Sequence, residues 1–189
     1  MRPIKFNNDM VRAILAGHKT QTRRALTPQP PEGCGKLLGP EIYEPGVVDK
    51  AGDFQPGPSV YGVYDEWGEY GLKCPFGQPG DRLWVKEEFA MKKGVVYRAD
   101  QPDDWGWDGK PPSSLKKWMS RILLEITTVR VERLQDITEE GAKAEGAAWS
   151  KFNGGGYVIS FFNLWKSIYG DDAWNENPWV WVIEFKRIK

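Results

Sequence analysis

Residues 179–186 constrain this fold more than any other stretch. Trp179, Trp181, Ile183 and Phe185 share one side of an extended segment, and Val180 and Val182 lie on the other side with Glu184 and Lys186. A strand that is apolar on one face and largely apolar on the other has to be covered from both sides. Ser120 to Arg133 reads as the strongest β region. Ile122, Leu124 and Ile126 alternate there, and Val129 and Val131 continue with the phase shifted by one, which predicts a bulge or bend near Thr127 and Thr128. Arg82 to Phe89 is a further strand with Leu83 and Val85 on one face. Val95 to Arg98 can pair with it across the Lys92-Lys93-Gly94 turn.

Helical periodicity is confined to short stretches. Val11, Ile14 and Leu15 share one helical face, with Asn8 as the expected N-cap and Gly17 suited to the left-handed residue past the end. Asp136-Ile-Thr138-Glu139 reads as a second helix start, with Asp136 or Thr138 as N-cap and Gly146 as the stop. Phe161, Leu164, Trp165 and Ile168 form a third stripe, closed by Gly170. Thr27 to Pro79 differs from all of this. Its recurrent prolines and glycines oppose long helices and central strands, and predict a long irregular insertion with a short hairpin around Val60 to Tyr64. Asp100 to Ser114, with Trp105, Trp107 and Pro111-Pro112, is a second irregular patch. The strands cluster without regular βαβ alternation. The expectation is a single α+β domain over residues 1–189: a mostly antiparallel sheet or small barrel with flanking helices and an irregular insertion over 27–79.

The chain of 189 residues can bury a core without disulfides or metal. Its 26 Lys+Arg balance 26 Asp+Glu, so no global field attracts nucleic acid. Such binding would need a local basic patch or aromatic stacking, for which Trp105 and Trp107 are candidates if they do not simply pack their loop. Two cysteines, Cys34 and Cys74, and the lack of an apolar signal segment point to a reducing, cytoplasmic setting. No run has the length to span a bilayer, so no membrane partner is expected. One histidine and two distant cysteines do not make a zinc set, so no metal and no cofactor are expected. Gly154-Gly155-Gly156 lacks the Lys-Ser/Thr of a phosphate loop and reads as a flexible joint. His18, the sole histidine, has no nucleophile-elbow sequence with it.

The chemistry that remains is concentrated where the first helix ends. Ile14-Leu-Ala-Gly-His18-Lys19-Thr-Gln-Thr22-Arg23-Arg24 delivers an amine, two hydroxyls and two guanidiniums directly after a rigid element. Such a run is either a solvated helix end, where cations suit the negative end of the dipole, or the start of a site. A lysine among cations can have its pKa lowered and act as a base, and a threonine hydroxyl needs such a neighbour to become nucleophilic. A carboxylate can orient the amine or shuttle its proton. In a strict strand Lys19 and Thr22 would face opposite sides, so the chemistry requires a bend or a helical turn between them.

The segment from Ile14 to Arg23 resembles the signature of ASCH domains, relatives of the PUA RNA-binding fold. Gly80-Asp81-Arg-Leu-Trp-Val-Lys-Glu87-Glu-Phe89 is similar to their GD-x-L-x-V strand. Leu134 to Gly146 is similar to their helix ending in Ala-x-x-Glu-Gly, and Val180 to Lys186 resembles their last strand. Cys74 to Asp81 and Trp118 to Ile122 are similar to segments of ASCH proteins from phages and prophages. The resemblance implies a PUA-like barrel. A small bacterial acetylcytidine amidohydrolase of that family uses a Lys, a Thr and a Glu that match Lys19, Thr22 and Glu145. What the match implies is hydrolysis of an amide on a modified pyrimidine nucleoside: Thr22 or an activated water attacks, Lys19 handles the proton and Glu145 orients Lys19. His18, Arg23, Arg24, Glu87 and Arg121 are then candidate substrate contacts. Other family members are thought to bind or cleave RNA, so an RNA or single-stranded nucleic-acid binding module, or a nuclease, is the alternative. A phage accessory protein acting through the insertion is a third reading. Unlike the small enzyme, this chain carries the Pro/Gly insertion and the Trp-rich patch.

Overall fold

The computed structural model describes residues 1–102, 106–151 and 154–189. The chain opens with β1 (Arg2–Lys5), α1 (Asn8–Leu15) and β2 (Gln21–Ala25). Five strands follow: β3 (Leu37–Tyr43), β4 (Gly46–Val48), β5 (Phe54–Pro56), β6 (Val60–Asp65) and β7 (Gly71–Lys73). Then come β8 (Arg82–Lys86), the hairpin strands β9 (Phe89–Met91) and β10 (Val95–Tyr97), and the long β11 (Leu123–Arg133). The helices α2 (Glu139–Ala144) and α3 (Tyr157–Tyr169) precede β12 (Trp179–Arg187). The molecule is a mixed α+β protein, mostly strands with few helices.

The principal sheet has the order β1-β8-β11-β12-β2. Only β1 and β8 run parallel; the other neighbours are antiparallel. The bulge foreseen near Thr127 and Thr128 is there: the β11–β12 register shifts between Ile126 and Thr128. That extra residue lets Leu124, Ile126, Val129 and Val131 all face one way. No strand pairing joins β1 to β2 among the described residues, so the sheet is open along that seam. One side chain spans it, Arg24 Nη2 donating to the Lys5 carbonyl at 2.6 Å.

β12 separates two cores. Trp181, Ile183 and Phe185 face the larger one, with Ile4, Leu83, Val85, Leu124, Ile126 and the α1 residues Val11 and Ile14. Val180 and Val182 face the smaller one, against Leu134, Ile137, Ala142, Phe161 and Trp165 below α2 and α3. Burying each large apolar side chain contributes about 1.5–3 kcal/mol. The double covering of β12 expected from its composition is therefore also its energetic role.

Residues 27–79 are not irregular throughout. β3, β6 and β7 form a three-stranded antiparallel sheet, and β4 and β5 form a separate hairpin. Val63, Tyr70 and Cys74 enter the larger core. The prolines fit because they sit at irregularities, strand ends and exposed edges. Pro40 sits with Gly39 in the β3 register shift, Pro45 and Pro58 flank strands, and Pro56 ends the exposed β5. Three further details differ from expectation. Asn7, not Asn8, caps α1, its Oδ1 accepting from the Met10 amide at 2.9 Å. β8 ends at Lys86, and Val95–Tyr97 pair with β9 instead. Trp105 lies outside the described residues; Trp107 is half-buried, with the Arg98 guanidinium 5.6 Å from its ring centre. Both cysteines are free thiols. Among the described residues no helix is long and apolar enough to cross a membrane.

Candidate active site

Two helix C-termini meet at the open end of β2. α1 ends at Ala16, and Gly17 takes φ +76° to reverse the chain, so the amides of His18 and Lys19 both return to the Ala13 carbonyl. α2 ends at Glu145, and Gly146 takes φ +83°. A Cβ on Gly146 would lie 3.0 Å from Ala13 Cβ and 3.1 Å from Lys19 Cβ, so glycine permits the close approach. The two segments are joined by an isolated antiparallel bridge between Lys19 and Glu145, and Thr20 N–H donates to the Ala144 carbonyl. Lys19 thus sits before the strand proper, in an isolated bridge.

The Lys19 side chain is fully buried, and the Glu145 side chain is 2% exposed. Lys19 Nζ donates to Glu145 Oε2 at 2.7 Å and to the Glu145 carbonyl at 2.8 Å, an oxygen at the negative end of α2. The Phe6 ring lies 5.6 Å away on another side. Burial pushes the Lys19 pKa below its ordinary 10.5. Glu145 opposes that shift through its charge and hydrogen bond, and the neighbouring charges of Arg24 and Arg23 add to it. Thr22 is also buried, and its hydroxyl makes no hydrogen bond among the described residues. Thr22 and Glu145 line one small crevice of about 10 Å³, walled by Met10 of α1 and by Leu164, Trp165 and Ile168 of α3.

The ion pair continues outward as an alternating chain. Arg23 Nη1 donates to Glu145 Oε1 at 3.1 Å, and its Nε donates to Glu132 Oε1 at 3.0 Å. Arg130 Nε donates to Glu132 Oε2 at 3.1 Å, and Arg130 also binds Glu184. The Arg23 guanidinium lies 5.8 Å from the Phe161 ring centre. Glu132, Arg130 and Glu184 carried no local sequence signal. Register decides them: Arg23 and Arg130 both stand opposite Val182 from the two sides of β12, and Glu132 stands opposite Val180.

The expected set therefore divides. Lys19, Thr22, Arg23 and Glu145 come together. Arg24 is beside them but is committed to the Lys5 carbonyl and to the face of Phe6, 5.4 Å from the ring centre. Glu87 and Arg121 form a separate clamp. Arg121 holds both Glu87 oxygens, at 3.0 and 2.9 Å, reaches Asp100 at 2.6 Å, and stacks 4.0 Å from the Tyr97 ring centre. No hydrogen bond or ion pair links this clamp to Lys19 or Glu145 among the described residues. His18 is exposed and lines a cleft of about 580 Å³ with Thr20, Glu140, Lys143 and Tyr157. That cleft runs along the Lys19 and Glu145 segments but is not lined by Lys19, Thr22 or Glu145. Among the described residues no group of three or more His, Cys, Asp and Glu could hold a metal ion. Comparison with protein-family models, with curated proteins and with solved structures finds no match for this chain.

Proposed function

We propose that this protein hydrolyses an amide on a modified pyrimidine nucleoside, of the acetylcytidine type, within a PUA-like fold. One observation carries the reading: Lys19 Nζ lies 2.7 Å from Glu145 Oε2 in a buried site whose Glu145 shares a crevice with the unpartnered Thr22 hydroxyl. A fully buried ammonium is expensive to maintain for structure alone, whereas a lysine whose pKa burial lowers gives up its proton more readily. Uncharged Lys19 takes the Thr22 proton as Oγ forms a bond to the acyl carbon. The electron pair of the carbonyl moves to oxygen, then returns as the C–N bond breaks, and Lys19 gives its proton to the departing nitrogen. Water resolves the acyl-threonine by the same route. Glu145 fixes the amine in position, and Arg23 fixes Glu145.

The crevice is too small for a nucleoside, so entry requires α3 to move off β2. Glycines flank that helix with positive φ at Gly154, Gly155, Gly156 and Gly170, which supports such a movement. The nucleic-acid alternative has less behind it. Arg23 is buried between two carboxylates, and Arg121 is clamped by Glu87 and Asp100. The basic run is neutralised from within instead of facing a phosphate backbone. The test is direct: purified protein is incubated with acetylcytidine and release of cytidine is followed. Turnover that disappears in Lys19→Ala and Thr22→Val supports the assignment; turnover that survives both substitutions, or no wild-type turnover, rejects it.

A further inference from the structure

The cleft beside the buried pair, about 580 Å³, has the size of a small-molecule site, about 300–1,000 Å³. Four residues that line it, Gly17, Ala144, Gly146 and Ala148, have no side chain beyond Cβ. Such a lining is apolar and low in relief, and it suits a flat ring. Tyr157, the first residue of α3, adds an aromatic surface. Trp149 packs against Tyr157 edge to face, 5.1 Å between ring centres, and the Lys143 ammonium lies 5.7 Å from the Tyr157 ring centre. Trp149 is 58% exposed, so the aromatic pair continues from the smaller core out to the surface. The polar lining is mixed. His18, Thr20, Glu140 and Lys143 are all exposed, and they offer donors and acceptors with both signs of charge. Neither Glu140 nor Lys143 has an ion pair among the described residues. The C-terminal ends of α1 and α2 meet at this cleft, and their negative ends disfavour an anion.

We infer that this cleft binds a neutral planar heterocycle, the base of the nucleoside, with Tyr157 as its stacking partner and His18, Thr20, Glu140 and Lys143 contacting its edge. That the ring is a pyrimidine rests on the amidohydrolase reading above; the class of ligand rests on the cleft. An aromatic side chain stacks on a base through the π-face that every base has. A base also carries donors and acceptors side by side on its edge, which a lining of mixed polarity can match. The nucleoside is thus held beside Lys19 and Glu145, against the start of α3, before that helix moves. Tyr157 acts here by binding and touches no reacting bond.

Cytidine, the product of the proposed reaction, is the probe, because it binds without turning over. Calorimetry should show that the wild-type protein binds cytidine and not ribose. Tyr157→Ala should weaken binding about tenfold or more, the worth of one base–aromatic stack, and Tyr157→Phe should leave it nearly unchanged. Ala148→Trp fills the cleft from an exposed position and should abolish binding. His18 is the sole histidine, so its ring protons report on the cleft alone in an NMR titration. Cytidine should shift them in the wild type and not in Ala148→Trp. Cytidine 5′-monophosphate should bind no more tightly than cytidine. No wild-type binding, binding unchanged by Ala148→Trp, an unmoved His18 resonance, or a phosphate that tightens binding overturns the proposal. If Tyr157→Ala does not fold, Ala148→Trp and the His18 resonance decide. Turnover of acetylcytidine is read separately. Cytidine bound in the cleft without turnover rejects the hydrolase reading alone; turnover without binding in the cleft rejects this inference alone.

Discussion

The molecule contains two buried carboxylate–cation clusters, and they differ in the cation. At Glu87 the partner is Arg121, which grips both oxygens in a fork and leaves neither free. Burial pushes the Glu87 carboxyl up, and the guanidinium pulls it back. An arginine cannot give up its proton, so this clamp can hold the β9–β10 hairpin region and Asp100 but cannot do acid–base work. At Glu145 the inner partner is Lys19, a point charge whose pKa burial drives down. The arginine there, Arg23, is placed behind the carboxylate as its support. The same charges in a different order give a fastener in one place and, under the proposed function, a proton carrier in the other.

Substitutions sharpen or break this contrast. The largest effect is expected for Lys19→Ala: loss of turnover by about 10³-fold or more, with about 3–5 kcal/mol of stability lost because a buried pair is broken from one side. Steady-state kinetics and urea unfolding measure the two. Thr22→Val should match the loss of turnover but leave the unfolding midpoint nearly unchanged, since no hydrogen bond of the hydroxyl is removed. In the other cluster, Glu87→Gln should cost about 1–3 kcal/mol of stability with turnover unchanged. A large loss of turnover there would mean that the clamp belongs to the site after all. The smallest effect is a displacement along the pH axis. Turnover should rise with pH as Lys19 loses its proton, at a value below 10.5. Arg24 is one of the charges that lower that value, so Arg24→Ala should move the rising limb to higher pH. A limb that moves the other way, or stays, would take Lys19 out of the base role.

Much of the fold was legible because it is written in periodicity. The two-sided strand 179–186, the phase shift at Thr127 and Thr128 and the glycine stops at Gly17 and Gly146 each rest on a local rule, and each is where the sequence put it. The insertion was misjudged because prolines were counted without their places. At bulges, strand ends and exposed edges they are compatible with the sheet of β3, β6 and β7. The inner site was legible only as separate pieces. Lys19 and Glu145 are distant in sequence, and no local rule predicts their bridge. Glu132 and Arg130 were invisible for a stronger reason. Their places follow from the register across β12, which is a property of the assembled sheet.

The place of β12 also has a consequence for how the protein comes into being. It is the latest strand of the principal sheet to be synthesised, yet within that sheet β2 pairs with it alone. On the ribosome, the segment bearing Lys19 emerges early and then waits, unanchored, until residues 179–187 arrive. During that interval the undersides of both cores are open to chaperones and proteases. β2 therefore has no partner strand in that sheet until β12 has been made.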